Sequence, residues 1–262
     1  DRDADDWATR AAALAGDDTT RIGAAIHSVR AVPDEHLKTV VEASLGRPLH
    51  VHLSEQTAEN DACIAAYGAT PTQLLDDHGV LGPFTTAVHA THLMPDDLTH
   101  LGRTGTFACF CPTTERDLGD GVGPSRHLHD AGSALTLGSD SHAVIDLFEE
   151  MRALEMDERL AARSRGHWSA AELLTAATVD GHRSLGWDDA GAIAVGRRAD
   201  LVTLDTVSPR TAGTGSDANT AVFAATAADV TRVVVDGRLV FQEGDRERVG
   251  RDLATAIERL WT

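Results

Sequence analysis

The sequence contains few cysteines, few aromatic residues and no long hydrophobic run, and each shortage excludes a class of protein. Three cysteines in 262 residues are too few, and odd in number, for a disulfide framework. No apolar stretch approaches the roughly 20 residues that a membrane-spanning helix needs. Lys and Arg number 23 against 41 Asp and Glu, a formal net charge of -18, which argues against nucleic acid and anionic membrane partners.

What remains is the composition of a globular protein, with 42% hydrophobic and 24% charged residues. The first residues, DRDADDWATR, lack the features of a signal peptide, so we expect a cytoplasmic protein. Cys109 and Cys111 resemble half of a soft-metal site, but a second cysteine pair is missing, and buried thiols are the preferred interpretation. The acidity also means that an acidic substrate would need a local cationic anchor.

Strand-like and helical segments alternate as far as Asp140. Apolar segments predict strands at 22–29, 49–54, 84–90, 106–111 and 134–140. Helical patterns lie between them at 33–45, 57–67, 70–78 and 94–101. Strand–helix units without hairpins predict a parallel sheet with right-handed crossovers. A (β/α)8 barrel would need about three more units, so we expect part of a barrel, with a doubly wound open sheet as the alternative.

The pattern changes after Asp140. Val144–Ala162 and Ser169–Leu185 predict helices, the second with a Ser N-cap. Short β segments follow at 199–205, 219–225 and 230–244, the last around an Asp-Gly turn, and a helix is predicted at 251–260. We therefore expect a partial barrel domain at 1–190 and a small β domain with the terminal helix at 191–262.

His52 and Glu55, in HVHLSEQ, form the strongest local pair. An imidazole at a strand end can bind a divalent ion, while a carboxylate three residues on moves protons beside it. The alternative is a strand-end histidine next to a surface glutamate. His50 lies on the same strand face as His52, and we expect a structural or supporting role for it.

The motifs VHATH and GSDSH follow later strands. His89 ends an apolar strand and can polarise a carbonyl or imine, or orient a bound water. His92, in the loop, is the weaker candidate for the same role. Asp140 at the end of a buried run is costly unless it meets a metal or a partner, the alternative being an N-cap of the next helix. His142 is a candidate for a supporting role.

His27 and Arg30, in HSVRAV, end the first predicted strand. A guanidinium is shaped to bind a carboxylate through two hydrogen bonds, although pairing with an acidic neighbour is the alternative. Because (β/α) barrels carry their functional groups at the carboxyl ends of strands, the four motifs together predict a metal-dependent hydrolase or deaminase.

In this order the motifs resemble those of the amidohydrolase superfamily of metal-dependent (β/α)8 barrels. GAIAVGRRADLVTLD at 191–205 and the later VTRVVVDGRLV resemble its small β-sandwich domain. Within the superfamily, HSVRAV, HxHLSEQ, TTERDLGDG and GSDSH are similar to the signatures of formimidoylglutamate deiminases, and the similarity runs from Arg21 onward. The implied fold class is α/β: the C-terminal portion of a metal-dependent (β/α)8 TIM barrel with a small β-sandwich domain.

The resemblance implies one zinc ion per subunit and the hydrolysis of N-formimino-L-glutamate to N-formyl-L-glutamate and ammonia, a step of histidine degradation. The implied partner is this small molecule, with neither nucleic acid nor membrane, and a homodimer is one expected assembly. The implied site residues are the catalytic groups Glu55, His89 and Asp140, the metal ligands His52 and Asp140, and the substrate-binding residues His27 and Arg30.

The family also has an H-x-H pair on its first strand and upstream Gln and Tyr substrate contacts, which have no counterparts here. We therefore expect the chain to lack the first half of its barrel. Two alternatives stay open. One is a deaminase of a nucleobase or nucleoside-like ring, which Arg30 and an aromatic content of 4% disfavour. The other is a non-catalytic chain that needs a partner carrying the missing strands.

Overall fold

A computed structural model describes residues 3–141 and 144–261. A parallel sheet forms its centre, with the strands β1 (Ala24–Ile26), β2 (Leu49–Leu53), β3 (Thr85–His89), β4 (Phe107–Phe110) and β5 (Leu135–Leu137). The strands lie in the sheet in their chain order, and every neighbouring pair is parallel. Since a doubly wound sheet reverses its strand order, this order favours the barrel interpretation.

One helix precedes β1, helices occupy every connection between consecutive strands of this sheet, and further helices follow β5. They are α1 (Ala4–Ala12), α2 (Asp34–Ala43), α3 (Thr57–Tyr67), α4 (Pro71–Asp77), α5 (Pro95–Thr104), α6 (Pro112–Leu118), α7 (Ser125–Ala131), α8 (Leu147–Ala162), α9 (Ala170–Thr175) and α10 (Gly181–Ser184). No helix in the described ranges is long and apolar enough to cross a membrane.

The hydrophobic core lies between the sheet and these helices. Ile26, Val51, Ala87 and Phe110, one from each of four strands, are all at most 1% exposed. Burying a large apolar side chain contributes roughly 1.5–3 kcal/mol, so this layer provides much of the free energy that keeps the strands in register. The register brings Leu53 level with His89, at the carboxyl ends of β2 and β3.

A second, antiparallel sheet follows, with β6 (Leu201–Leu204), β7 (Val230–Val235) and β8 (Arg238–Gln242), and α11 (Arg246–Glu258) comes after it. Asp236 and Gly237 both have positive φ between β7 and β8. This is the backbone that a tight hairpin turn requires, and it confirms the predicted Asp-Gly turn. The sheet stands where the sequence predicts a segment of a small β-sandwich domain; the domain division at residue 190 remains a prediction.

The predicted β segment at 219–225 is wrong, because Thr220–Ala224 forms a π-helical turn. The side chain of Asp217 accepts hydrogen bonds from the amides of Asn219 and Thr220 and so starts the turn. Val222 is completely buried within it. Local capping and burial therefore override the β propensity of this run.

The long helix predicted over 169–185 is broken into α9, a π-helical turn at Ala176–Asp180, and α10. Its predicted Ser169 N-cap is confirmed: the Ser169 hydroxyl accepts from the Glu172 amide, and the Glu172 carboxylate accepts from the Ser169 amide. Helices α1, α6 and α7 were not predicted, and α11 begins earlier than expected.

Candidate active site

The backbone is strained where the predicted site residues lie. Of the six described non-glycine residues with positive φ, four lie at the carboxyl ends of β2, β3 and β5: Ser54, His89, Ala90 and Asp140. Such conformations cost of order 1–3 kcal/mol each and persist only where the surroundings enforce them. Their concentration at one edge of the sheet points to a functional site there.

His52, on β2, is oriented by the chain that follows β1. Its Nδ1 lies 2.7 Å from the carbonyl oxygen of His27, and the two rings are 5.0 Å apart. Because a carbonyl only accepts, this contact places the proton of the neutral ring on Nδ1 and the lone pair on Nε2. Nε2 of His52 is therefore available as a ligand for a metal ion.

Arg30 lies against the carboxylate that the sequence predicts as an acid/base. Its guanidinium is 2.9 Å from Glu55 Oε2 and 4.0 Å from Glu59 Oε2. Glu59, at the first turn of α3, is buried, which raises the pKa of its carboxyl group. The pairing of Arg30 with acidic neighbours, one of the two alternatives left open by the sequence, is what this structure shows.

His89 ends β3 at the centre of the cluster. Its Nε2 lies 3.8 Å from Glu55 Oε1 and 3.9 Å from Asp140 Oδ2, and its ring stacks on His52 with the centroids 5.6 Å apart. The side chain is 1% exposed, and Nε2 has no hydrogen-bond partner among the described residues. A buried, unpaired imidazole nitrogen facing two carboxylates suits the binding of a cation or of a water molecule that donates to it.

The other nitrogen of His89 meets a carboxylate to which the sequence analysis gave no role. Nδ1 lies 3.2 Å from Oε1 of Glu115, on α6, and the same oxygen accepts a hydrogen bond from the Cys111 amide at 2.8 Å. Burial alone lowers the pKa of His89, but the hydrogen bond and charge of Glu115, with the charges of Glu55 and Asp140, raise it above its ordinary value.

Asp140 is held in a tight turn after β5. The hydroxyl of Thr114, on α6, donates to the Ser139 carbonyl oxygen at 3.0 Å and accepts from the Ser141 amide at 3.0 Å. These bonds fix the backbone on both sides of Asp140. His142, the last residue of the GSDSH motif, lies outside the described residues.

His50 and His92 face other partners. Nε2 of His50 lies 3.3 Å from the Ser184 carbonyl oxygen, and burial lowers the pKa of this ring. Nε2 of His92 lies 2.7 Å from the Asp120 carbonyl oxygen. Both contacts are structural, as expected for His50.

The structure thus links all six predicted site residues in one continuous cluster at the carboxyl edge of the sheet. Thr114 and Glu115 are the residues that sequence reasoning missed. A signal was present: they belong to TTERDLGDG, one of the motifs that carry the family resemblance, and follow a proline at the start of a helix. The catalytic, metal-binding and substrate-binding roles remain predictions.

The chemistry of the cluster fits a zinc ion. Zn²⁺ binds imidazole nitrogens and carboxylate oxygens, and the carboxylates of Glu55 and Asp140 face the unpaired Nε2 of His89. His89, Cys111 and Glu115 also bring potential ligand atoms within 4.8 Å of one another. Hydrogen bonds to Glu115 explain that grouping without a metal, and Cys111 is a buried free thiol whose pKa the Cys109 thiol and burial raise.

Comparisons with known proteins agree with this geometry. The chain matches the amidohydrolase family over residues 4–240. It is 37% identical over 252 residues to formimidoylglutamate deiminase of Pseudomonas aeruginosa, and the alignment covers 91% of this chain and 55% of that protein. It is 31% identical over 236 residues to 5'-deoxyadenosine deaminase of Methanothermobacter thermautotrophicus, with 88% and 55% covered.

Among solved structures, an adenosine deaminase from Xanthomonas campestris with bound zinc superposes with a TM-score of 0.86 at 27% identity, over 97% of this chain and 62% of that one. The chain spans about half the length of the curated relatives that it matches. The predicted fold class is confirmed. The protein belongs to the amidohydrolase family, and its five-stranded parallel sheet with flanking helices is part of that family's (β/α)8 barrel.

Proposed function

We propose that this chain carries the acid–base and carboxylate-binding groups of a zinc-dependent deiminase, which hydrolyses N-formimino-L-glutamate to N-formyl-L-glutamate and ammonia. The observation that carries the proposal is the position of Arg30. A guanidinium 2.9 Å from Glu55 places a binding group for an anionic substrate directly beside the predicted acid/base. The whole protein is acidic, with a net charge of -18, so a dicarboxylate substrate requires such a local cation.

His52 and Asp140 would hold the zinc ion. Bound zinc lowers the pKa of a water molecule to about 7, which makes a hydroxide nucleophile available at neutral pH. The Nδ1 contact of His52 with the His27 carbonyl presents the correct nitrogen for this purpose. The bonds of Thr114 to the turn around Asp140 keep that carboxylate in place.

The proton transfers fall to carboxylates beside His89. The attacking water supplies both protons that turn the formimino =NH into ammonia: Asp140 accepts one and returns it to the departing nitrogen, and Glu55 carries the other from the tetrahedral hydroxyl to the same nitrogen. Both carboxylates lie within 4 Å of His89 Nε2, whose lone pair is positioned to accept a hydrogen bond from the tetrahedral centre between them. The C–N bond breaks, and the formyl product keeps the oxygen of the water.

Arg30 has two partners in turn under this proposal. Without substrate it pairs with Glu55; a substrate carboxylate then replaces Glu55 as its partner, with His27 nearby. The exchange breaks the ion pair that occupies the Glu55 carboxylate, so Glu55 becomes free to contact the departing nitrogen only when a carboxylate substrate has bound.

The 37% identical relative supports this reaction, whereas the 31% identical one supports a second candidate, deamination of an adenosine derivative. The two candidate substrates differ in the part remote from the reacting carbon, because a nucleoside has no carboxylate for Arg30 to bind. The partners that we propose are the small-molecule substrate and, as an assembly, a homodimer in the cytoplasm.

The test is ammonia release from N-formimino-L-glutamate and, in parallel, from adenosine and 5'-deoxyadenosine, with zinc supplied. We would assay this chain alone and this chain extended upstream through an H-x-H strand. Turnover of N-formimino-L-glutamate supports the proposal, and turnover in the extended form alone shows that the upstream strands are required. Turnover of a nucleoside alone would transfer the proposal to the second candidate.

A further inference from the structure

The reaction proposed above leaves the buried carboxylate of Glu115, which contacts His89, without a role. Glu115 is 4% exposed, and its Oε1 receives two contacts, from His89 Nδ1 at 3.2 Å and from the Cys111 amide at 2.8 Å. Of the predicted site residues, Glu115 contacts His89, so it acts through that ring.

The shared oxygen determines which nitrogen of the ring carries the proton. Oε1 already accepts from the Cys111 amide, so it is an acceptor and the proton lies on Nδ1 of His89. In the neutral ring the lone pair is then on Nε2. That is the nitrogen 3.8 Å from Glu55 and 3.9 Å from Asp140.

The opposite tautomer would place an N–H at this point. Its N–H would lie 3.8 Å from the nearest carboxylate oxygen, too far for a hydrogen bond, and the lone pair on Nδ1 would face the acceptor Oε1 at 3.2 Å, which is repulsive in a buried environment. The strained backbone of His89, with φ of +70°, directs the ring between the two acidic groups on one side and Glu115 on the other.

We propose that Glu115 is a positioning residue that holds His89 in the tautomer with its proton on Nδ1 and its lone pair on Nε2, directed at the reacting groups. The inference rests on the proposed function only for the part that His89 plays in the reaction. Carboxylates behind active-site histidines generally fix the tautomer and orientation of the ring in this way.

The test compares two substitutions at one position with a matched control. Glu115→Met has a similar volume but no acceptor, whereas Glu115→Gln keeps an oxygen that both donors can reach. Glu150→Met is the control: Glu150, on α8, is also buried and accepts from the amide and hydroxyl of Thr113 on α6, but it does not contact His89. Thermal unfolding and circular dichroism establish that each variant is folded.

The readout is two-bond and three-bond ¹⁵N–¹H correlation NMR of the ¹⁵N-histidine-labelled chain at alkaline pH, where the ring is neutral. A His89→Asn variant assigns the signals. We expect a protonated Nδ1 and an unprotonated Nε2 in the wild type, in Glu115→Gln and in Glu150→Met. In Glu115→Met we expect the Nε2–H tautomer to appear. If Glu115→Met does not fold, Glu115→Ala is used instead, because the smaller side chain leaves room for a water molecule that accepts a hydrogen bond from the Cys111 amide.

A wild-type ring with its proton on Nε2 overturns the inference, and so does a Glu115→Met or Glu115→Ala ring that keeps the proton on Nδ1. Neither outcome depends on substrate or turnover. Failure of the deiminase assay with the expected tautomers would therefore reject the proposed reaction alone and leave the role of Glu115 intact.

Discussion

Arg30 is a partly exposed arginine to which we assign a role in substrate binding. Its side chain is 35% exposed and its partner Glu55 13% exposed, so their pairing is only partly shielded from water. An exposed ion pair contributes at most about 1 kcal/mol, which a substrate carboxylate with two oxygens in line can replace.

We therefore predict that Arg30→Met raises KM for N-formimino-L-glutamate, equivalent to a loss of ~2–4 kcal/mol of binding, while kcat falls less. Steady-state kinetics on the active form measures this. Arg248→Met, which removes an exposed arginine paired with Asp245 on the terminal helix, is the control and is expected to leave KM unchanged. An unchanged KM in Arg30→Met would reject Arg30 as the carboxylate-binding group.

Glu172 predicts a pH dependence of stability. Burial acts to raise the pKa of its carboxyl group, but hydrogen bonds from Ser169 and Arg126 outweigh it and lower the pKa from 4.5 to about 2. A carboxyl group whose pKa is lower in the folded state stabilises the fold above its unfolded pKa and loses that effect as the pH falls through the folded value.

We expect Glu172→Gln, which retains the cap geometry but not the charge, to be less stable than the wild type near neutral pH. The difference should shrink between pH 4.5 and about 2. Urea denaturation across this range measures it. A difference that does not change with pH would mean that the charge of Glu172 contributes nothing.

At this scale the sequence predicted which six residues lie together at one edge of the sheet, because strand-end polar groups in a barrel converge whichever loops connect them. It did not reveal Glu115 or Thr114. Their contacts join α6 to β3 and to the turn after β5, and such long-range pairing leaves no periodic signal in the residues themselves.

Among the elements, α5 and α7 approach each other so closely that a side chain is excluded. A Cβ on Gly102 of α5 would overlap the carbonyl group of Ala131 at the end of α7. Alanine is the better helix former by about 1 kcal/mol, so propensity and packing predict opposite signs for the same change.

We expect packing to dominate and Gly102→Ala to destabilise the protein by roughly 1–3 kcal/mol in chemical denaturation. Gly250→Ala on α11, where an added Cβ meets nothing within 4 Å, should instead stabilise it by about 0.5–1 kcal/mol. A stabilised Gly102→Ala protein would show that the two helices can separate at little cost.

Helix α8 shows how far an element can be read from sequence. Its span was predicted from periodicity to within three residues at the amino end. The positions of its buried carboxylates were not: Glu150 accepts from Thr113, Glu155 from Trp168 and Glu158 from Ser125, each on a different neighbouring segment. A helical pattern predicts which face of the helix is buried, but not which hydrogen-bond donors its buried carboxylates will contact.

For the molecule as a whole, the excess of 41 acidic over 23 basic side chains should oppose compaction by self-repulsion. Salt screens such repulsion, with a Debye length of about 10 Å at 0.1 M. We expect the thermal midpoint to rise as sodium chloride increases from low concentration and to level off once screening is complete. An equal osmolality of glucose is the control, and a midpoint that is insensitive to salt would contradict the expectation.

The parallel sheet was also predictable, since alternating strands and helices allow few topologies, whereas the strand order that distinguishes a barrel from a doubly wound sheet came from the structure. The region after α10 was less so. Segments there are short, and the run at 219–225 has the composition of a strand and the structure of a helical turn. The conformation of this run depends on the hydrogen bond that Asp217 accepts and on the burial of Val222, both of which exist only in the folded molecule.

The seven residues of α6 tie two parts of the site together, through Glu115 to β3 and through Thr114 to the turn after β5, whereas Arg30 follows β1 at the edge of the sheet. Under the proposed function, His89 and Asp140, which take part in bond cleavage, and Arg30, which recognises the substrate, are thus carried on separate segments. In such a protein, changes near β1 would alter substrate recognition without disturbing α6. Relatives that share this barrel and act on different molecules are the evolutionary outcome that this separation permits.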